Sequence, residues 1–96
     1  MILQVNAILI NKTDNVATAI VELSQGQRAR FWVGGEVAET VLMETIPQYH
    51  KFAVCNIGKM ESVRKYGEVI GKALCDIRQG AHVHVHNISS PGRGEA

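Results

Sequence analysis

The chain has 96 residues, 46% of them hydrophobic, and a formal net charge of +1 at pH 7. A chain of this size forms one small domain with a thin core, and an aromatic content of 5% predicts that this core is aliphatic. Acidic and basic residues are interspersed, which excludes an electrostatic nucleic-acid binder. Since no apolar run approaches the ~20 residues that cross a bilayer and no signal-peptide pattern is present, we predict a cytoplasmic protein without a membrane partner.

The first part of the chain predicts short strands separated by turns. Strands are expected where β-branched and apolar residues run between clusters of turn-forming residues. Two such runs are residues 2–10 and 16–23, and residues 11–15 form the turn between them.

A third strand is predicted at residues 28–33, where polar and apolar residues alternate with a period of two. Its two arginines then lie on a solvated face, and Gly34 and Gly35 make the next turn. Residues 38–45 are ambiguous between a strand and a short helical turn. Pro47 closes that segment, because proline cannot donate to a central ladder.

An internal repeat joins distant parts of the chain. Residues 16–26 align without gaps with residues 70–80, and residues 50–60 form a fainter third copy. Each copy is a strand, an acidic or amide residue, a Leu or Ile, and a turn that closes on glycine, which takes positive φ without steric cost. Met60 replaces this glycine in the third copy, so we expect that turn to be built differently.

The repeat also makes a prediction for the two cysteines. Cys55 and Cys75 occupy the position that Val21 holds in the first copy. A position that accepts Val or Cys is expected to be a small buried apolar site.

Residues 80–87 hold three of the four histidines. In an extended strand, His82, His84 and His86 share one face, while the two intervening valines anchor the other face in the core. Neighbouring same-face positions lie ~6.6 Å apart and the outer two ~13 Å, so at most two of these rings can bind one metal ion. Proton transfer, a grip on a ligand, and a polar face packed on a partner remain open as alternatives.

Four segments resemble the SAF domain of the altronate dehydratase family. They read DNVA at residues 14–17, IPQYHKFA at 46–53, VRKYGEVIG at 63–71 and GAHVHVHN at 80–87. The resemblance implies an all-β domain with the β-clip fold, which we place at residues 1–88, and it implies glycine where Tyr49 and Met60 stand. The polar residues 89–96 are predicted to form a mobile tail.

The resemblance also implies a function. Members act in hydro-lyases that dehydrate sugar acids, and a related small subunit serves sulfolactate sulfo-lyase, which eliminates sulfite instead of water. Many members place this domain in front of a large catalytic region. We therefore predict a small subunit that shares its site with a large catalytic dehydratase subunit and a sugar-acid substrate.

The site residues follow from the resemblance and from their chemistry. The predicted metal ligands are His82, His84 and His86, with at most two on one ion, and the ion is expected to be Fe²⁺ or Mn²⁺. His84 and His86 are also the predicted catalytic groups. The predicted substrate-binding residues are Asp14, Asn15, His50, Lys51, Lys65, Tyr66 and Asn87.

Each assignment has a competing interpretation. Lys51 or Lys65 could pair with a substrate carboxylate, or both could be ordinary surface residues. Asp14 and Asn15 could simply brace a turn through hydrogen bonds to backbone. Dehydration needs a base, an acid and stabilisation of the enolate, and so small a domain is not expected to catalyse it alone. A sulfo-lyase subunit, a non-enzymatic binding module, a stand-alone metal-binding protein and a homo-oligomer remain open.

Overall fold

Eight short strands build the part of the chain that the computed structural model describes, residues 5–89. In chain order they are β1 (Ala7–Ile8), β2 (Val16–Ala19), β3 (Arg28–Val33), β4 (Glu36–Val41), β5 (Lys51–Ala53), β6 (Ser62–Lys65), β7 (Glu68–Lys72) and β8 (His82–Val83). Helices are absent from these residues, which confirms the predicted all-β class. Nothing within residues 5–89 forms a helix of the length and apolarity that spanning a membrane requires.

The central sheet has the antiparallel order β1-β2-β5-β8, and β3–β4 and β6–β7 form two separate hairpins. Both hairpins close through two-residue loops with positive φ at each position. These residues are Gly34 and Gly35 in the first loop, and Tyr66 and Gly67 in the second. This geometry matches the type I′ turns that suit the twist of paired strands. The predicted glycine turn is confirmed.

The first hairpin resolves an ambiguity and confirms one prediction. Of the ambiguous segment at residues 38–45, residues 38–41 belong to β4 and pair with β3 in register, and residues 42–45 follow the strand. On the solvated face, the Nε atom of Arg30 lies 2.7 Å from a carboxylate oxygen of Glu39. The two arginines therefore face solvent as predicted.

Strands β2 and β5 separate two hydrophobic cores. Because successive side chains of a strand point to opposite faces, each strand contributes to both. The first core contains Ala7, Ala17, Ala19, Leu23, Ala29, Phe31, Leu42, Ile46 and Phe52. The second contains Val16, Ala53, Ile57, Val63, Ala73, Ile77 and Val83. Small and branched aliphatic side chains dominate both cores, as the composition predicts.

The internal repeat appears in the structure as four related turns. Each turn places a buried Leu or Ile four or five residues after the end of a strand, followed three residues later by a residue with positive φ. The buried residues are Leu23, Ile46, Ile57 and Ile77, and the positive-φ residues are Gly26, Tyr49, Met60 and Gly80. The first two turns pair with each other, and so do the last two, each pair through reciprocal backbone hydrogen bonds between its buried residues.

Met60 contradicts one expectation from the repeat. The turn that closes on Met60 was expected to differ from those that close on glycine. Instead, Met60 adopts φ 75°, and its N–H donates to Ala73 O at 2.7 Å, as the N–H of Gly80 donates to Ala53 O at 2.8 Å. The expectation was wrong because the surrounding hydrogen bonds impose the left-handed conformation on a residue that ordinarily avoids it.

The prediction of buried cysteines was also wrong. Cys55 and Cys75 are both exposed, and so is Val21. Each lies in the bend that follows a strand end, outside the ladder, so its side chain points to solvent. The buried position of each copy is instead the Leu or Ile two residues later.

The predicted ends of the chain are only partly described. Of the predicted strand at residues 2–10, the structure shows β1, and residues 1–4 lie outside the described part. The predicted strand at 16–23 ends at Ala19 as β2. The predicted tail includes Ser89, whose N–H donates to Lys72 O at 2.9 Å, while residues 90–96 lie outside the described residues.

Candidate functional site

The histidine segment leaves the central sheet after Val83. The short strand β8 pairs with β5, with Phe52 opposite His82 and Lys51 opposite Val83. Val83 is buried as predicted, but Val85 is 77% exposed. The prediction of one continuous strand through residue 86 was therefore wrong.

Asn87 is the reason why the strand ends. Its buried side chain accepts a hydrogen bond from the backbone N–H of His84 at 2.9 Å and donates one to His82 O at 2.8 Å. These bonds satisfy backbone groups inside a tight turn, as Asn side chains commonly do. Asn87 thus shapes the site, and its assignment to substrate binding stays a prediction.

The turn brings His82 and His84 against His50, which precedes β5. His50 Nδ1 lies 2.9 Å from His82 Nε2, and the rings of His50 and His84 stack with their centroids 4.3 Å apart. One ligand atom from each of these three residues, the histidine cluster, lies within 4.8 Å of the other two. From the sequence, His50 was predicted to bind substrate and was not included among the metal ligands. Its position beside residues 82–84 depends on the pairing of β5 with β8, which local sequence patterns do not reveal.

His86 lies next to the histidine cluster without joining it. Its ring centroid is 5.3 Å from that of His82, and the side chain is exposed. The ~13 Å separation expected between the outer histidines of an extended strand does not apply, because the chain turns back after residue 83.

The surroundings of His82 and His84 favour neutral imidazoles. Burial lowers the pKa of His82, and the neighbouring charges of His50 and His86 lower it further, against the opposing effect of Glu44. Burial also lowers the pKa of His84, with further contributions from His50, Lys51 and His86. A neutral imidazole can bind a metal ion or accept a proton.

The donor set of the histidine cluster fits a divalent transition metal. Imidazole nitrogens suit iron, zinc and related ions. Two nitrogens on one tetrahedral ion lie about 3.3 Å apart, and the separation of 2.9 Å between His50 Nδ1 and His82 Nε2 is close to this value. His84 Nδ1 is buried and has no hydrogen-bond partner among the described residues, so it is free to bind.

These shifted pKa values predict that the metal-free chain loses stability in mild acid. The unfolded chain has ordinary imidazoles, with a pKa of 6.5, whereas the folded chain holds two of them lower. Between the two pKa values the unfolded state binds more protons. We therefore expect the free energy of unfolding to be highest above pH 6.5 and to fall as the pH drops below it, measured by urea denaturation with a chelator present.

A matched variant tests the origin of this slope. The double variant His82→Gln/His84→Gln removes both titrating rings and keeps polar side chains of similar reach. Its stability should depend less on pH between pH 7 and pH 5 than that of the wild type. Identical slopes for the two proteins would show that other groups cause the loss.

Lys51 adds positive charge beside the cluster, where it acts on His84. Lys51 is half-buried and lies opposite Thr18 on β2 and Val83 on β8. Burial lowers its pKa, and so does the positive charge of Lys65. The Lys65 ammonium lies 4.9 Å from the centre of the Tyr66 ring, a cation–π contact. The assignment of both lysines to substrate binding stays a prediction.

The structure gives Asp14 a clear supporting role. The buried carboxylate accepts backbone N–H groups from Asn11 at 3.1 Å, Tyr66 at 3.0 Å and Gly67 at 2.8 Å. It therefore ties its own turn to the loop of the β6–β7 hairpin. These contacts match the bracing interpretation, and direct contact with substrate remains a prediction.

Asn15 supports the same hairpin further along. Its amide donates to Ser62 O at 2.9 Å and accepts from the N–H of Arg64 at 2.7 Å. The side chain thus acts as one more ladder residue for β6. Its assignment to substrate likewise stays a prediction.

Asp14 and Asn15 also line an open polar groove of about 520 Å³. Arg64 and Lys72 contribute cationic side chains to it, and none of the four histidines lines it. The groove is therefore distinct from the histidine cluster.

Comparison with known proteins relates this chain to altronate and galactarate dehydratases. The family model of the altronate/galactarate dehydratase SAF domain matches residues 5–91. Altronate dehydratase of Escherichia coli (strain K12) is 41% identical over 80 residues, which cover 83% of this chain and 15% of that protein. Galactarate dehydratase (L-threo-forming) of the same organism is 37% identical over 76 residues, covering 79% of this chain and 14% of that protein.

A third relative has nearly the same extent as this chain. The subunit alpha of (2R)-sulfolactate sulfo-lyase from Chromohalobacter salexigens is 32% identical over 91 residues, covering 92% of this chain and 97% of the relative. The chain spans about a seventh of the length of the dehydratases that it matches. The matched residues include the histidine cluster and both hairpins, and the chain belongs to the altronate/galactarate dehydratase SAF domain family.

Proposed function

We propose that this chain is the SAF-type small subunit of a lyase that acts on hydroxy acids, within a site completed by a large catalytic subunit. The observation that carries this proposal is the histidine cluster, whose three ligand atoms lie within 4.8 Å of one another. The positive charge of Lys51 beside it suits an acid substrate. The cytoplasmic location remains a prediction.

The reaction removes a proton from the carbon next to the carboxylate and expels a leaving group from the following carbon. The electron pair of the broken C–H bond forms the new double bond, and the resulting enol becomes a 2-keto acid. A neutral imidazole can accept that proton, and a protonated one can supply a proton to a departing hydroxyl. His86 is the group that we propose for these transfers. His84, the other predicted catalytic group, could take part only where it does not bind the metal.

A divalent metal, expected to be Fe²⁺ or Mn²⁺, is part of the proposal. His50, His82 and His84 would hold it, and when bound it supplies Lewis-acid polarisation of substrate oxygens. His86 lies beside this set without belonging to it, so its ring remains available for proton transfer. This arrangement revises the predicted ligand set by adding His50 and releasing His86.

The shape of the site supports a large partner. The three cluster rings are half-buried, His86 is exposed, and the polar groove lies apart from them. Water therefore reaches the cluster in the chain alone, whereas lyase chemistry benefits from a closed site. The match to about a seventh of the altronate and galactarate dehydratases also suggests a larger catalytic region.

One observation favours the sulfo-lyase alternative. The chain matches nearly the whole of a sulfo-lyase subunit alpha, a relative of the same extent. In that reaction sulfite leaves instead of hydroxide, and the same α-proton must be removed. Removal of that proton is the step that this chain would supply in both cases.

The experiment isolates the complex that the full chain forms and assays it with altronate, galactarate and (2R)-sulfolactate. Formation of a 2-keto acid with or without sulfite distinguishes the two lyases. We expect His82→Ala to reduce both metal content and kcat, the latter by about 100-fold or more. His86→Ala should lower kcat while metal content is unchanged.

Gln25→Ala, at an exposed turn position, serves as the control and should behave as wild type. Full activity and metal content in the His82→Ala and His84→Ala complexes would contradict the site assignment. A complex that binds the acids but turns over none of them would instead support a binding module.

A further inference from the structure

The polar groove beside the β6–β7 hairpin brings two cations to one cavity. Its lining includes Arg64 of β6 and Lys72 of β7, and its volume is about 520 Å³. Lys72 lies directly opposite Ser62 in the strand pairing, and Ser62 lines the groove as well. Because the intervening Val63 is buried, Ser62 and Arg64 point to the same side of the hairpin. One face of the hairpin therefore presents a guanidinium, an ammonium and a hydroxyl to the same space.

Hydrogen bonds hold the lining of the groove in place. The Asn15 amide donates to Ser62 O at 2.9 Å and accepts the N–H of Arg64 at 2.7 Å, so it fixes the backbone that carries both side chains. In the turn before β6, Asn56 Oδ1 accepts the N–H of Gln79 at 2.8 Å. This bond orients the Asn56 amide, which also lines the groove and can donate its own N–H groups to a ligand.

Two carboxylates line the same groove, but neither pairs with these cations. Both oxygens of Asp14 accept backbone N–H groups, and the side chain is buried. One oxygen of Glu61 accepts a backbone N–H within its own turn. The close ion pairs within residues 5–89 lie on the β3–β4 hairpin, so Arg64 and Lys72 have no carboxylate partner in this part of the chain. Both charges can therefore make charge-assisted hydrogen bonds to a bound anion.

We infer that the polar groove binds a small molecule through a phosphoryl or carboxylate group, at a site separate from the histidine cluster. Arg64 pairs with two oxygens of that group, as a planar guanidinium favours. Lys72 supplies the second positive charge, and the Ser62 hydroxyl donates one more hydrogen bond. The volume of the groove suits a small molecule. None of the four histidines lines it, so this site goes beyond the proposed lyase function.

Titration of the metal-free full chain with inorganic phosphate and with succinate tests the inference. Amide NMR spectra recorded at about pH 8 and constant ionic strength locate the binding, because imidazoles are neutral there and do not attract anions. We expect saturable shifts in residues 13–15 and 60–64 and at Lys72, and none in residues 82–86. The probe that binds more tightly identifies the group that the natural ligand carries.

Charge-removing variants show which side chains bind the anion. Arg64→Gln should weaken binding of the tighter probe about tenfold or more, and Lys72→Gln about fivefold, because each removes a charge-assisted contact. Ser62→Ala should weaken it about threefold. None of these three side chains is buried, so circular dichroism should show an unchanged fold. Arg78→Gln removes the same charge from an exposed turn position outside the groove, and this matched control should bind as wild type.

Three results would overturn the inference. These are the absence of a saturable shift with either probe, shifts centred on the histidine cluster, and equal losses of affinity in Arg64→Gln and Arg78→Gln. The titration measures binding and not turnover, and it needs neither a metal nor a large subunit. Failure of the lyase proposal and failure of this inference are therefore distinguishable.

Discussion

Replacement of Asp14 by alanine is expected to lower the free energy of unfolding by about 3 kcal/mol or more, because three backbone N–H groups lose their acceptor. Two of those groups lie in the Tyr66 and Gly67 loop, whose left-handed residues need external support. The loop joins β6 to β7, so its loss should loosen the whole hairpin. Urea denaturation followed by circular dichroism measures the change.

Two further variants make this result specific. Asp14→Asn keeps one acceptor oxygen and should lose about half as much stability. Lys12→Ala, at an exposed neighbouring position, should stay within about 0.5 kcal/mol of wild type. If Asp14→Ala were as stable as wild type but failed to bind substrate, the carboxylate would serve the ligand and not the fold.

Gly80→Ala is expected to destabilise the domain by about 3 kcal/mol or more, through backbone strain together with a steric clash. Gly80 has φ +90°, and an added Cβ would lie 2.3 Å from Val41 O and 3.3 Å from the backbone N of Met43. Both contacts are to backbone atoms of the crossing segment, so neither can be relieved by a side-chain rotation. The effect should also reach the histidine segment, which begins two residues later.

Gly26→Ala provides the matched comparison. Gly26 closes the corresponding turn with φ +85°, but an added Cβ there would meet nothing within 4 Å. We expect a cost of about 1–2 kcal/mol, from the left-handed conformation alone. The same denaturation measurement applies, and equal losses in the two variants would show that the clash at Val41 O is relieved at little cost.

Local patterns predicted much of the fold. The period-two alternation of β3 and the glycine pair after it were correct, because they depend on neighbouring residues only. The repeat was visible at three of its four occurrences. The fourth, around Ile46, lacks both the glycine and the strand pattern, and only the paired backbone hydrogen bonds reveal it.

The site was harder to predict, for a physical reason. The strand at His82 ends because the side chain of Asn87 replaces a ladder partner, and alternation of valine and histidine gives no sign of this. The place of His50 depends on pairing between β5 and β8, across 32 residues of sequence. The metal ligands, catalytic groups and substrate contacts remain predictions, since their chemistry depends on bound partners.

The four related turns share one backbone hydrogen bond but carry different side chains at the same position. One position in each turn carries His50, Gln27, Glu61 or Ala81, and its N–H always donates to the carbonyl three residues earlier. The backbone makes the same hydrogen bond beneath four unrelated side chains. Gln27 and Glu61 also accept the N–H of Ser24 and of Gly58 with their side chains, so exchanging either of them would remove a support of its turn. Ala81 has no such bond, and protein engineers thus have at Ala81 a position of matched geometry at which to graft an imidazole onto this scaffold.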